Sequence, residues 1–223
     1  MSNKRIVIVG GGISGMGLLH LLREHSEHEV TLLEPGDNLG GHANAVWVDQ
    51  ELVDTGFMVC NEKTYPNIMQ LFTELGIGLQ PTTMAFACDD AHSGFSISFA
   101  SIGQRIWYSL RRLPFILEVV YAQYRIRQDV RSDAVHKAET IREYCARRGI
   151  PERVRDYFII PVVASVWSQM ESGKALEMPA QQIFDFMDNH QLLQSRQPQW
   201  YSLAGSSWSY VKQLQERYKH EVL

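Results

Sequence analysis

Cysteine is scarce in this chain, which has only three among its 223 residues. Cys60, Cys88 and Cys145 are odd in number and lack short spacing, which excludes a disulfide framework and a zinc knuckle. Free thiols are typical of a reducing compartment, so we expect a cytoplasmic protein. The His, Cys and Asp residues do not cluster at the spacing of metal ligands, and no metal site is predicted.

Long apolar runs and excess positive charge are also missing. No segment approaches the ~20 apolar residues of a membrane-spanning helix. Residues 4–22 begin like a signal peptide, but five glycines interrupt them and a charged, histidine-rich segment follows in place of a cleavage site. The net charge of −4 argues against non-specific nucleic-acid binding. The length allows one large core or two small ones.

The first 34 residues have the pattern of a strand–helix–strand unit. Residues 5–9 form a short β-branched run, typical of a strand buried on both faces, and 13–25 have helical periodicity. A second apolar strand at 30–33 ends at Glu34. The glycines Gly10, Gly12 and Gly15 lie between the first strand and the helix, as in a dinucleotide-binding fingerprint.

Each part of this fingerprint has a mechanical role. Gly10 permits the tight turn, Gly12 lets a pyrophosphate approach the backbone, and Gly15 lets the helix pack on the strand. The helix N-terminus offers unpaired N–H groups to the phosphates, and Glu34 can accept both hydroxyls of an adenosine ribose. The alternatives are a glycine loop used only for packing and a nucleophile elbow at Ser14. The elbow fails because Met16 stands where glycine is required.

The residues after Glu34 favour FAD over NAD. A plain nicotinamide domain usually continues through another helix to a third parallel strand, whereas here Gly40 and Gly41 precede a predicted hairpin over 43–58 with its turn at 49–50. A second glycine pair suits a backbone that lies against the far side of a longer cofactor. Gly56, near the end of the hairpin, offers a further close approach to a ring.

These motifs resemble the flavin-containing amine oxidase and phytoene desaturase superfamily. The resemblance rests on Gly10–Gly15, Glu34, the run 39–42 and the run 53–57, and further short motifs extend it to a bacterial subgroup of amine-oxidase-like proteins. It implies pyrophosphate contacts from Gly10, Gly12, Ser14 and Gly15, with Glu34 on the ribose. It also implies that the flavin side is lined by Gly40, Gly41, His42, Gly56 and Phe57.

The chain departs from the superfamily in two ways. Asn38 and His42 stand where arginines often flank the glycine pair, so phosphate contacts are absent or replaced. Superfamily members are also about twice as long, and their second half completes the sheet and closes the flavin site. We therefore expect an incomplete sheet whose open edge favours self-association.

The rest of the sequence is mainly helical. We expect a helix over 65–75 ended by Gly76, strands over 84–88 and 95–99, and a helix that Pro114 opens and that runs to about 128. The next helix begins at a capping box, Thr140–Glu143, and ends at Gly149, and Pro151 opens another helix. The last two predicted helices are 179–189 and 206–218. The predicted class is α/β, with a Rossmann-type FAD-binding domain at 1–79, an inserted, mainly helical substrate domain at 80–200, and a returning helix at 201–223.

Three features have weaker interpretations. The segment 111–127 is apolar with arginines at both ends, so it is either an interfacial helix that draws a lipophilic substrate from a membrane or a helix buried in the substrate domain. Trp167 and Trp200 are candidates for an aromatic wall on the substrate side, with core packing as the alternative.

The predicted function is two-electron oxidation of a small-molecule substrate, by amine oxidation or desaturation, with hydride transfer to flavin N5. No catalytic residue can be named, because hydride transfer to a cofactor needs no protein nucleophile. The alternatives are a truncated, non-catalytic dinucleotide-binding module and, third, an NAD-only protein.

Overall fold

The computed structural model describes residues 3–84, 87–98, 102–167, 172–194 and 198–223. The chain divides into two compact units, one made of residues 1–82 and 199–223 and the other of 83–198. In chain order, the elements are β1 (Arg5–Val9), α1 (Ile13–His25), β2 (Glu29–Leu33), β3 (Ala45–Val48), β4 (Glu51–Asp54), α2 (Pro66–Glu74), β5 (Leu79–Thr82), β6 (Ala87–Asp90), β7 (Phe95–Ser98), α3 (Ile102–Arg131), α4 (Ile141–Arg148), α5 (Glu152–Val154), a π-helical turn (Arg155–Ile159), α6 (Ile160–Trp167), α7 (Ser172–Leu176), α8 (Ala180–Asn189), β8 (Trp200–Leu203) and α9 (Trp208–Arg217).

The first unit begins with the predicted strand–helix–strand arrangement, which confirms the α/β, Rossmann-like class. β1 and β2 are parallel, with Ile8 opposite Leu32. Residues 221–223 run along the other edge of β2, where the Leu223 N–H donates to the Leu32 carbonyl at 2.9 Å and the Glu34 N–H donates to the Leu223 carbonyl at 3.0 Å. β2 therefore lies between β1 and the last residues of the chain.

The expectation that β1 is buried on both faces is wrong for this chain. Ile8 is buried in one core cluster with Met16 and Leu19 of α1, whereas Val7 and Val9 are 61% and 81% exposed. Side chains alternate between the two faces of a strand, so one face is covered by α1 and the other is open. Among the described residues, β1 pairs only with β2.

A hairpin and a helix follow, as predicted. β3 and β4 are antiparallel and turn at Asp49–Gln50, where Asp49 has φ of 54°. Helix α2 has Pro66 in its first turn, where a missing N–H costs no helical bond, and ends before Gly76.

The strand pair β5–β8 was not predicted from the sequence. These four-residue strands are antiparallel, with Leu79 opposite Leu203 and Thr82 opposite Trp200. Pro81 within β5 lowered the strand signal, and the partner lies more than 100 residues away. The pair ties the two chain segments of the first unit together.

The second unit has its own core, formed mainly by α3 to α8. The capping box at the start of α4 is confirmed: the Glu143 N–H donates to Oγ1 of Thr140 at 3.2 Å, while the Thr140 N–H donates to the Glu143 carboxylate at 2.9 Å. Gly149 ends α4 in the left-handed conformation, and Pro151 precedes α5. Helices α8 and α9 correspond to the predicted segments 179–189 and 206–218.

Pro114 does not open a helix. It lies inside α3, which begins twelve residues earlier and runs for 30 residues to Arg131. Proline removes only the hydrogen bond that its own amide would donate one turn back, and the residues on both sides retain a helical backbone. The predicted strands around the turn at 89–94 are observed as β6 and β7, with Ala85, Phe86 and Phe99 outside the described residues. Within the described part of the chain, no helix is long and apolar enough to span a bilayer.

Candidate dinucleotide-binding site

The glycine turn after β1 is sterically determined. Gly10 has φ of +102°, which L-residues rarely adopt, and its N–H donates to the Leu33 carbonyl at 2.8 Å, which holds the turn against β2. A Cβ on Gly15 would lie 1.9 Å from the Gly10 carbonyl oxygen and 3.3 Å from Ile8. Gly15 therefore allows α1 to pack directly on the turn and the strand.

The N-terminus of α1 can receive an anion. Gly12 is its N-cap, with no side chain to cap the helix, and the first turn has no acidic residue. The N–H groups of Ile13 and Ser14 precede the first intrahelical hydrogen bond, which the Met16 N–H donates to the Gly12 carbonyl at 3.0 Å. A Cβ on Gly12 would meet only the Cα of Gly41, at 4.0 Å. The backbone at Gly12 is therefore open to a close ligand.

Glu34 is held beside this turn by two backbone amides. The Gly11 N–H donates to Oε2 of Glu34 at 2.6 Å, and the Gly36 N–H donates to Oε1 at 2.9 Å. These bonds lower the pKa of the Glu34 carboxyl, with the Gly11 bond the larger cause. Each carboxylate oxygen keeps further acceptor capacity, so an ionised, oriented group remains available to hydroxyl donors.

The second glycine pair packs on the first glycine turn. The Gly40 N–H donates to the Gly11 carbonyl at 2.9 Å. A Cβ on Gly41 would approach the Cα of Gly12 to 3.1 Å, and one on Gly40 would meet the Ala43 carbonyl at 2.6 Å. The pair thus lets two stretches of backbone cross in contact, which places residues 40–42 beside Gly12.

Gly56 and Phe57 are joined to the same cluster through His42. The Phe57 N–H donates to the His42 carbonyl at 2.9 Å, and a Cβ on Gly56 would lie 2.0 Å from that oxygen. His42 itself is exposed, and the Phe57 ring packs against Phe72 at 6.4 Å between centroids. All ten residues predicted for cofactor binding therefore lie in the first unit, on or next to the crossing backbones.

Two supporting features were missed at the sequence level. Gly11 fixes Glu34, and a Cβ there would collide with Leu39 at 2.3 Å and the Glu34 carboxylate at 3.0 Å. Asp54 accepts from the backbone N–H and the hydroxyl of buried Ser207, at 2.8 and 2.6 Å, and so anchors the end of β4 to the start of α9. Gly11 is the middle glycine of the run 10–12, which was a visible signal for the first feature. The second feature depends on a contact between residues 153 positions apart in the sequence.

The two tryptophans lie in different units. Trp167 is half-buried against the core of the second unit, with its ring 4.8 Å from Phe186 in an edge-on arrangement. Trp200 is 2% exposed in β8 of the first unit. Both environments are those of packed side chains.

The chain is similar in sequence to known desaturases. A family model described as an NAD(P)-binding Rossmann-like domain matches residues 8–75. A 15-cis-phytoene desaturase from Narcissus pseudonarcissus is 31% identical over 172 residues, which cover 70% of this chain and 30% of that protein. The corresponding enzyme from Arabidopsis thaliana is 30% identical over 173 residues, with the same coverage.

Solved structures share the fold. Cyclohexylamine oxidase from Brevibacterium oxydans superposes with a TM-score of 0.73 at 18% identity, and wild-type putrescine oxidase bound to putrescine with 0.69 at 15%. Each comparison covers 100% of this chain and 51% of the other chain. The chain thus spans about 30% of the length of the curated relatives and half that of the structural neighbours.

Proposed function

We propose that this chain, which belongs to the flavin-containing amine oxidase and phytoene desaturase superfamily, binds FAD and takes part in the two-electron oxidation of an organic substrate. The observation that carries the proposal is the open backbone at Gly12, which lies at the N-terminus of α1 and beside the fixed carboxylate of Glu34. These are the two groups that a dinucleotide needs, one for its pyrophosphate and one for its ribose.

The residues present fit FAD. Gly10, Gly12, Ser14 and Gly15 would hold the pyrophosphate with backbone N–H groups and the positive end of the helix. The first turn of α1 contains no acidic side chain, so none of its own residues opposes the phosphates. Glu34, oriented by Gly11 and Gly36, would accept the ribose hydroxyls.

The second glycine pair supports FAD over NAD. Gly40, Gly41 and His42 cross the first turn at Gly12 and continue to Gly56 and Phe57. This arrangement extends the candidate site beyond the pyrophosphate, where the ribityl chain and the large ring system of FAD need more room than the nicotinamide riboside of NAD. The flavin would supply the chemistry, by accepting a hydride at N5 from a substrate C–H bond. The protein's part is to bind the cofactor, orient it and exclude water.

The helical second unit is the candidate substrate domain. Its separate core and its position in the chain between the two segments of the first unit support this assignment. Trp167 and Trp200 remain candidates for the substrate side, although their packing is equally that of core residues. The desaturase relatives favour a lipophilic substrate, and the amine oxidase neighbours a C–H bond next to nitrogen. No catalytic residue is assigned.

The test is to identify the bound cofactor. Purified protein reconstituted with FAD should acquire a flavin absorption spectrum, and heat should release FAD that chromatography distinguishes from FMN and NAD. Recovery of FMN, or of NAD alone, would overturn the assignment. Photoreduction of the bound flavin then separates an oxidoreductase from the alternative, a non-catalytic dinucleotide-binding module.

A further inference from the structure

Residues 112–131 of helix α3, whose side chains the structure describes, have one packed apolar face and one exposed apolar face. Its inner face lies in the core of the second unit and contains buried Phe115, Val119, Ala122 and Ile126. An outer face consists of exposed large side chains, each 45–59% exposed. Its members are Leu113, Leu117, Val120, Tyr121 and Tyr124.

The outer face is a narrow stripe opposite the core. At 3.6 residues per turn, its five members fall within an arc of about 100°, and the four inner residues fall on the other side of the helix. The stripe extends over about 17 Å of helix, from the 1.5 Å rise per residue. Tyr121 and Tyr124 have the amphipathic rings that favour a boundary between water and hydrocarbon.

The charges around the stripe are positive. Arg112 and Arg125 border it on its two sides, and neither forms an ion pair with a described carboxylate. Arg112 lies 4.3 Å over the Phe95 ring, and Arg125 donates to the Tyr121 hydroxyl at 2.7 Å. The acidic residues of α3 are engaged elsewhere, Glu118 with Arg153 and Asp129 with Arg148. Over its 30 residues the helix has six arginines and two acidic residues.

From these observations, we propose that the outer face of α3 docks on an anionic lipid surface, with the helix lying in the plane of the interface. In this orientation the apolar stripe would enter the acyl boundary of the bilayer, and the flanking arginines would lie at the level of the lipid phosphates.

Docking would bring the candidate substrate domain to a lipophilic substrate. This part of the inference rests on the proposed function. The docking itself depends only on α3 and is measurable whether or not flavin is bound.

The experiment is co-flotation with vesicles of phosphatidylcholine alone or with one third phosphatidylglycerol. Leu117→Asp places a charge in the stripe at a position that is 59% exposed, so the core is unaffected. The matched control is Leu21→Asp on α1, where the leucine is 56% exposed. Leu117→Asp should reduce partitioning to the anionic vesicles about 10- to 100-fold, as expected when one leucine can no longer be buried, whereas Leu21→Asp should bind like the parent chain.

Several outcomes would overturn the inference. Absence of binding to anionic vesicles by the parent chain, equal loss in both variants, or equal binding to the two kinds of vesicle would each do so. A dimer that Leu117→Asp dissociates, with no binding to vesicles, would assign the face to a contact between copies. Flavin absorbance is read on the same samples. Vesicle binding by a chain that binds no flavin would refute the proposed function and support the docking. Flavin binding by a chain that does not bind vesicles would support the proposed function and refute the docking.

Discussion

Replacing Gly12 with valine tests whether a pyrophosphate lies on the glycine turn. Gly12 has φ of −73° and ψ of −179°, an extended conformation that any residue can adopt. A Cβ there would have only the Cα of Gly41 within 4 Å, at ordinary van der Waals distance. The fold should therefore accept the side chain at a cost of about 1 kcal/mol for a poorer N-cap.

The effect on cofactor binding should be much larger. The added side chain would fill the space over the N-terminus of α1 that the phosphates need. Loss of even two charge-assisted hydrogen bonds, at ~1.5–3 kcal/mol each, weakens binding at least about 100-fold. Gly12→Val should thus separate binding from folding, because the affinity for FAD falls steeply while the free energy of unfolding changes little.

Two neighbouring glycines provide the controls. A Cβ on Gly17 meets nothing within 4 Å, so Gly17→Ala should leave FAD binding unchanged and stabilise α1 by about 1 kcal/mol. Gly15→Ala should instead unfold or severely destabilise the first unit, because its Cβ would lie 1.9 Å from the Gly10 carbonyl oxygen.

The assay is a titration with FAD followed by flavin fluorescence, with circular dichroism and a urea unfolding curve on each variant. The parent chain and Gly17→Ala should bind FAD with equal affinity, and Gly12→Val should show no measurable binding. Normal FAD binding by a folded Gly12→Val chain would show that the phosphates do not lie on this turn. The assignment of the remaining glycines would then fall with it.

Three other measurements test separate parts of the molecule. Glu34→Ala should weaken FAD binding several-fold through loss of a charge-assisted acceptor, whereas Asp37→Ala, an exposed carboxylate three residues on, should not; unchanged affinity would remove Glu34 from the site. Hydrogen bonds from Arg147 lower the pKa of buried Glu139 from its ordinary value of 4.5, so their stabilisation is present above that pH and is lost as the pH falls through the lower value in the folded chain. Glu139→Gln should lower the free energy of unfolding by about 1–3 kcal/mol at pH 7. The urea midpoint of the variant should fall less than that of the parent as the pH is lowered, and parallel plots of midpoint against pH for the two proteins would contradict this. The chain should self-associate through the exposed face of β1 and should retain FAD poorly on gel filtration.

Local signals in the sequence account for most elements of the first unit. The glycine turn, α1, β2 and the β3–β4 hairpin are each specified by a short run whose periodicity changes at glycine or at a two-residue turn. The superfamily resemblance based on these runs is confirmed by the desaturase relatives and by the amine oxidase fold of the structural neighbours. Such features were predictable because their causes lie within a few residues.

Features that depend on distant partners were not predictable. β5 is paired with Trp200–Leu203, more than 100 residues later in the chain, and Ser207 donates to Asp54 although the two residues are 153 positions apart in the sequence. Pro114 was misassigned because proline favours a first turn, whereas packing of the residues on the inner face of α3 outweighs one missing hydrogen bond. The positions of the predicted cofactor residues are consistent with their assignment, and their roles stay predictions until a ligand is measured.

The two exposed valines of β1 are the physical reason for the prediction that the chain self-associates. A β-branched run such as 5–9 is typical of a strand covered on both faces, yet Val7 and Val9 are 61% and 81% exposed. Among the residues that the structure describes, the edge of β1 away from β2 has no partner strand. Burial of these two side chains would contribute about 2–4 kcal/mol, so the open face favours contact with a second copy. The turn at Gly10 is continuous with β1, and we expect a strand with an open face to hold FAD on that turn only weakly. Val7→Lys should therefore reduce self-association without restoring retention of FAD. A monomeric chain of residues 1–223 that keeps stoichiometric FAD through gel filtration would show that the open face has no such effect.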